Sequence, residues 1–189
     1  EPVAGVFERL GAPPVRMLPW PVMLAEPEEP ELCFDPGGLP AHVVHLGYTK
    51  MAKGIEVLAA AIPKVLAARP GVSVTVQANY WDPTGVEPSV RAISEMGGRV
   101  RVLRGPLPPD AYAARLREAD IVVLPYQSRH YAGLGSGIFA EAAACGKIIV
   151  LPSGTWIAEQ AANWDLGAVF FDRHDPEALS RAVLEAIDR

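Results

Sequence analysis

From residue 41 onward, short apolar runs alternate with stretches of helical periodicity. The runs are Val43–Leu46, Val72–Val76, Val100–Leu103, Ile121–Leu124, Ile148–Leu151 and Ala168–Phe171. Most are apolar at successive positions, as strands covered on both faces by helices must be. Between the first two runs, Ile55, Leu58, Ala59, Ile62, Val65 and Leu66 follow the i, i+3, i+4, i+7 stripe of a helix, with a kink expected at Pro63. Further helices are predicted at about Ser89–Met96, at Asp110–Glu118 behind Pro109, at Ile138–Cys145 closed by Gly146, and at Thr155–Asn163. The last is Pro176–Ile187, with Asp175 as N-cap. Six β-α units in a row predict an α/β fold, a Rossmann-like doubly wound parallel sheet of about six strands. Ligands of such sheets sit at the carboxyl ends of the strands, so the loops that follow the strands are where chemistry is expected.

The first forty residues follow a different pattern. They hold nine of the 19 prolines, and Glu26-Pro27-Glu28-Glu29-Pro30 and Pro36-Gly37-Gly38 read as linker. Pro2–Leu10 reads as a short helix ended by Gly11, and Val15–Met23 as an extended segment. The expected organisation is therefore an interdomain segment over residues 1–40, with a remnant of a preceding domain, and one ligand-binding domain over residues 41–189.

Charge sharpens this division. Seven acids against Arg9 and Arg16 put the whole net charge of −5 on residues 1–40, and the remaining acids and bases balance. A sequence pI of about 5.4 argues against a nucleic-acid partner, which calls for a basic face. Half the residues are hydrophobic, which excludes a disordered chain. No apolar run approaches the roughly 18 residues of a membrane helix. Cys33 and Cys145 stand far apart without His or Cys neighbours, which fits a reducing, cytoplasmic setting and neither a disulfide framework nor a zinc site. The chain starts at Glu1 with no basic-then-apolar leader, so a fragment of a longer protein is expected.

Two loops carry candidate chemistry. The first, Gly47-Tyr48-Thr49-Lys50-Met51-Ala52-Lys53-Gly54, leads straight into a helix. A lysine among glycines at a helix start suits an anion, and a solvated turn is the alternative. The order of its residues is not that of a Walker P-loop. The second loop runs from Pro125 through Arg129, His130, Tyr131, Gly133, Gly135, Ser136 and Gly137 into the helix at Ile138. Ser136 is the expected N-cap, and the amides near Ser136, Gly137 and Ile138 are expected to be free for a phosphate. Glu141 is an acid in an otherwise apolar helix. It suits a hydroxyl pair such as a ribose, or alternatively a helix-dipole or surface role. Arg129 and His130 are candidates for the same crevice. His42 and His45 are expected to be structural, Trp156 and Trp164 to fill core or interface, and Cys145 to be small and buried.

Taken in order, these segments resemble the donor-binding half of the large GT-B, family-4-type retaining glycosyltransferases. His45-Leu46-Gly47 followed by Lys53-Gly54-Ile55-Glu56-Val57-Leu58 is similar to that family's G-R-x-x-x-x-K-G segment. Ala119-Asp120-Ile121-Val122-Val123-Leu124-Pro125 is similar to its a-D-v-x-v-x-P strand, and Glu141-Ala142-Ala143-Ala144-Cys145-Gly146-Lys147 to its E-A-x-A-x-G-k helix end. Gly167 through Asp175-Pro176-Glu177-Ala178-Leu179 is similar to its closing segment.

The resemblance implies a nucleotide-diphospho-sugar as substrate, with no metal and no other cofactor. It implies an acceptor bound on a missing N-terminal domain, work in polysaccharide or glycoconjugate biosynthesis, and a cytoplasmic place, at the inner membrane surface if the missing domain binds there. It implies that Lys53 and Glu141 are the residues on which catalysis rests, Lys53 at the donor diphosphate and Glu141 at the ribose. Gly47, Tyr48, Arg129, Gly135, Ser136, Gly137 and Ile138 complete the implied donor site. By itself the fragment is expected to bind weakly and transfer poorly. Three departures stand out: Tyr48 falls where the family has arginine, Gly133 where it has the first acid of E-x7-E, and Gln77-Ala78-Asn79 where the second strand ends in glycines. A degenerate, non-catalytic nucleotide- or sugar-binding module of the same fold is the alternative these departures favour.

Overall fold

The structure, a computed structural model, describes residues 41–189. The helix read at Pro2–Leu10, the extended segment at Val15–Met23, the linker and Cys33 lie outside the described residues. Six strands form one parallel sheet: β1 (His42–His45), β2 (Ser73–Ala78), β3 (Val100–Arg104), β4 (Ile121–Val123), β5 (Ile148–Pro152) and β6 (Ala168–Phe171). Each expected run supplies one strand, displaced by no more than two residues at either end. Register follows the apolar positions, with Val43 beside Val74 on one side and Ile121 on the other, and Val150 beside Val169. The three residues of β4 are fully buried, because this central strand is covered on both faces.

The helices are α1 (Ile55–Ala68), α2 (Glu87–Glu95), α3 (Pro109–Arg117), the single-turn α4 (Ser128–Tyr131), α5 (Gly137–Ala144), α6 (Trp156–Asn163) and α7 (Pro176–Ile187). A 3₁₀ turn, Met51–Lys53, precedes α1. This turn and α4 are too short to show a period and were not legible in the sequence. The α1 assignment runs through Pro63, whose ring nitrogen leaves one turn of the helix without its usual donor. Three N-caps act through their side chains: Ser136 accepts from Phe139 N (3.3 Å), Thr155 from Ala158 N (3.3 Å) and Asp175 from Ala178 N (2.8 Å).

Two cores sandwich the sheet. One packs Val43, Val74, Val76 and Val150 against Ile55, Leu58 and Ile62 of α1, Val90 and Ile93 of α2, and Leu179 and Val183 of α7. The other packs Val44, Val122, Ile149 and Leu151 against Leu116 of α3, Phe139 and Ala142 of α5, and Ile157 and Ala161 of α6. Side chains of this size contribute roughly 1.5–3 kcal/mol each when fully buried. Trp156 packs against the second core, while Trp164 stacks on Phe139 (centroids 6.3 Å apart) with 46% of its surface exposed. Cys145, expected to be buried, is only half-buried, because it caps the end of α5 where the helix leaves the sheet. No helix among the described residues is long and apolar enough to cross a membrane.

The strand order is β3-β2-β1-β4-β5-β6. The chain winds outward from β1 to β3, then returns to place β4 on the other side of β1. The loops leaving β1 and β4 therefore diverge, and a crevice opens between them at the carboxyl end of the sheet.

Candidate functional site

Both sequence-predicted loops border this crevice. The loop after β1 has its amides engaged, partly by the end of β2 and partly within itself. Gly47 N donates to Gln77 Oε1 (2.8 Å), and Gln77, buried at the end of β2, donates through Nε2 to Gly105 O (3.0 Å). Thr49 N donates to Asn79 O (2.6 Å), Lys53 N to Lys50 O (2.9 Å) and Gly54 N to Met51 O (2.8 Å). The amide of Gly47, a residue of the implied donor site, is thus already occupied. What Gly47 supplies is space: its φ is +89°, and an added Cβ would lie 2.3 Å from Ile138 Cδ1. Tyr48 leans the other way, its hydroxyl accepting from Trp81 N (3.1 Å) in the loop after β2. Gly54, at φ +72°, presses against the second loop so closely that a Cβ would stand 1.8 Å from Pro125 O. His174, from the loop after β6, reaches the same carbonyl with Nε2 (3.0 Å).

Lys53 projects from the end of the 3₁₀ turn. Its Nζ lies 5.4 Å from the ring centroid of the fully buried Tyr126. The Tyr126 ring stacks on Tyr131 (4.2 Å), and Lys50 Nζ sits 5.9 Å over that second ring. Burial, and secondarily the charge of Lys50, lowers the Lys53 ammonium to a pKa of about 8. Among the described residues Lys53 forms no ion pair. The position one Cβ out from Gly47 lies 3.9 Å from Lys53 Nζ as well as against Ile138, so the ammonium and the first turn of α5 are neighbours.

The loop after β4 is the open counterpart. None of the amides of Gly135, Ser136, Gly137 and Ile138 donates to an acceptor among the described residues, since Ser136 Oγ serves Phe139 N and Ser136 O serves Ala140 N. A Cβ on Gly137 would meet nothing within 4 Å. The Tyr126 hydroxyl stands 3.1 Å from Ser136 Oγ and ties this helix start to the ring beneath Lys53. A partly desolvated ammonium therefore lies beside a helix N-terminus carrying about half a positive charge, an arrangement that holds an anion.

Glu141 lies one turn into α5, half-buried, and its Oε2 accepts from the hydroxyl of Tyr112 on α3. Arg129 and His130 are exposed on α4, and among the described residues the Arg129 guanidinium bonds only Gln127 Oε1 (3.0 and 3.2 Å). Gln127 in turn braces the 3₁₀ turn at Met51 O (3.1 Å) and reaches Glu56 Oε1 (3.2 Å). Gly133 is exposed. His42 bridges to Thr75 Oγ1 (2.9 Å) and is structural. His45 is buried, with Nδ1 3.0 Å from Val123 O and Nε2 without a partner among the described residues. Burial, with a smaller contribution from Lys53, lowers its pKa to about 4. It is neutral near pH 7, so Nδ1 is the donor to Val123. Tyr126, Tyr112 and Gln77 are the supporting residues that sequence reasoning missed. Each acts across elements remote in sequence, and no local spacing marks them.

Residues 40–189 match the model of a family described as Glycosyl transferases group 1. A search of the curated proteins finds no match. Solved structures share the fold. An alpha,alpha-trehalose-phosphate synthase (UDP-forming) from Burkholderia vietnamiensis is 15% identical, with a TM-score of 0.63 over 80% of this chain and 38% of its own. The enzyme of that name from Burkholderia xenovorans, in complex with glucose-6-phosphate, is 14% identical, with a TM-score of 0.61 over 78% and 36%. A putative UDP-N-acetylglucosamine 2-epimerase from Listeria monocytogenes is 14% identical, with a TM-score of 0.58 over 79% and 37%. The match thus spans little more than a third of the length of these proteins.

Proposed function

The chain belongs to the group 1 glycosyl transferases and carries the Rossmann-like fold of a GT-B carboxyl-terminal domain, and from that premise we propose that residues 41–189 bind the donor in a sugar transfer. The donor is a nucleotide-diphospho-sugar. Its diphosphate lies between Lys53 and the amides of Ser136, Gly137 and Ile138, and its ribose hydroxyls meet Glu141. The observation that carries this reading is the pairing of a half-buried ammonium with a helix start, the ammonium without an ion pair and the leading amides without an acceptor among the described residues.

As the glycosidic bond to the donor breaks, negative charge collects on the leaving diphosphate. Groups that hold this charge more tightly in the transition state than in the ground state lower the barrier. Lys53 and the α5 dipole are placed to do so without solvent reorganisation. Transfer proceeds with retention, and the acceptor sits on a second domain across the crevice. Gly47 contributes clearance and not a hydrogen bond, and Tyr48 and Arg129 lie at the margin of the site.

The test is calorimetry with UDP, GDP and ADP in the absence of metal. UDP comes first, because solved proteins of this fold include UDP-forming synthases. One nucleotide is expected to bind the wild-type chain, with Lys53→Ala and Glu141→Ala each weakening it at least tenfold. Binding unaffected by both substitutions would remove the assignment. A second reading, a non-catalytic module of the same fold, draws on the exposed Gly133, which offers no carboxylate to a sugar. Intact nucleotide binding by the longer parent protein, without hydrolysis or transfer of any nucleotide sugar, would favour it.

A further inference from the structure

We propose that Tyr112 is the positioning residue for Glu141, clamping one oxygen of the carboxylate so that the other is aimed at the ribose. The ligand in this statement rests on the donor reading above, while the clamp itself rests on geometry alone. Tyr112 stands on α3 and packs against the second core, which fixes its ring. Its hydroxyl donates to Glu141 Oε2 across 29 positions of sequence. Among the described residues Glu141 forms no ion pair, and its Oε1 has no hydrogen-bond partner. The clamp is therefore a neutral donor, which orients the carboxylate without cancelling its charge.

The direction of the bond is secure. Burial, and then the neighbouring Glu141 carboxylate, holds the Tyr112 phenol far above its ordinary pKa, so the group is a permanent donor at any working pH. A glutamate side chain has three rotatable bonds, and a free carboxylate on α5 samples many positions. Anchoring Oε2 before the ligand arrives removes that ordering cost from binding. Tyr112 itself touches no ligand in this arrangement. Its signature is consequently selective: it matters only for ligands whose hydroxyls meet Glu141.

The experiment measures calorimetric affinities of the chain for UDP, GDP and ADP and for their 2′-deoxy and 3′-deoxy counterparts, in the wild type and in Tyr112→Phe and Glu141→Gln. Tyr112→Phe keeps the ring and the packing, and its melting temperature serves as the control on folding. The expected result is a loss of about five- to tenfold for the ribonucleotide, the scale of one ordinary hydrogen bond, with the affinity of one deoxy form unchanged. Glu141→Gln should lose the same discrimination. An equal loss for ribo and deoxy forms, or an undiminished preference in Tyr112→Phe, would overturn the positioning role.

Urea unfolding of Tyr112→Phe, Glu141→Gln and the double variant separates this result from the fate of the donor reading. Non-additive stabilities establish the clamp without any ligand, and additive ones overturn it. If the cycle is non-additive and no nucleotide binds the wild type, the donor reading fails and the aim at a ribose fails with it.

Discussion

The loops after β1 and β4 begin at adjacent buried strands and end at helix starts, yet they solve the same electrostatic problem in opposite ways. The loop after β1 has its amides engaged, those of Gly47 and Thr49 by Gln77 and Asn79 at the end of β2 and those of Lys53 and Gly54 within the loop, and offers a side chain, Lys53. The loop after β4 leaves its last amides without an acceptor among the described residues and offers backbone. The first kind of charge titrates, depends on one residue and can be deleted. The second cannot be deprotonated and is spread over several residues, so single substitutions erode it only slowly. Tyr126 joins the two, its ring under the ammonium and its hydroxyl at the helix cap.

The largest expected effect comes from prising the two loops apart. Gly54→Ala places a methyl on the Pro125 carbonyl at a φ that L-residues rarely adopt. Urea unfolding should show a loss of more than about 3 kcal/mol, because backbone and not a flexible side chain must yield. A loss below 1 kcal/mol would mean that the two loops are less tightly joined than this contact implies.

Deleting the titratable partner comes next. Lys53→Met should weaken nucleoside diphosphate binding on the order of a hundredfold by calorimetry, the scale of losing one charge-assisted contact in a partly desolvated site. Its folding stability at pH 7 should rise by about 1 kcal/mol, because a desolvated ammonium is replaced by an apolar chain. The pH dependence sharpens the contrast. In the free protein Lys53 gives up its proton near pH 8 instead of 10.5. Wild-type affinity should be flat below about 8 and decline above it, while the residual affinity of Lys53→Met, held by amides, stays flat. For stability the sign is opposite. Between about 8 and 10.5 the unfolded chain holds the extra proton, so the Lys53 contribution becomes more favourable as pH rises.

The smallest effect probes the backbone loop. Ser136→Ala removes the side chain that holds Phe139 N and meets Tyr126. About 1 kcal/mol of stability should be lost, and nucleotide affinity should fall only a few-fold, because the open amides remain. A loss as large as that of Lys53→Met would show that the cap, and not the amide array, organises this side of the site.

Much of this organisation was legible in the residues. All six strands, the caps Ser136 and Asp175, and the positions of Lys53 in the loop after β1 and of Glu141 on the helix after β4 follow from apolar runs and cap chemistry. What was not legible is how the loops are held. That the Gly47 amide is occupied by Gln77, thirty positions on, has no local signal. Nor does local spacing show that the Tyr48 hydroxyl meets Trp81 N or that the Arg129 guanidinium meets Gln127 Oε1.

The sequence by itself determined the alternation of strand and helix, because burial on both faces demands continuous apolar runs and an amphipathic helix repeats every 3.6 residues. It also determined which residue types stand in the two loops. Only the tertiary structure decided which side of β1 receives β4, and hence that Lys53 and the start of α5 share one crevice. Only the tertiary structure placed Tyr112 behind Glu141 and Tyr126 beneath Lys53. Hydrogen bonds between elements far apart in the chain depend on the packing of whole helices and strands, and no local pattern of residues encodes that distance.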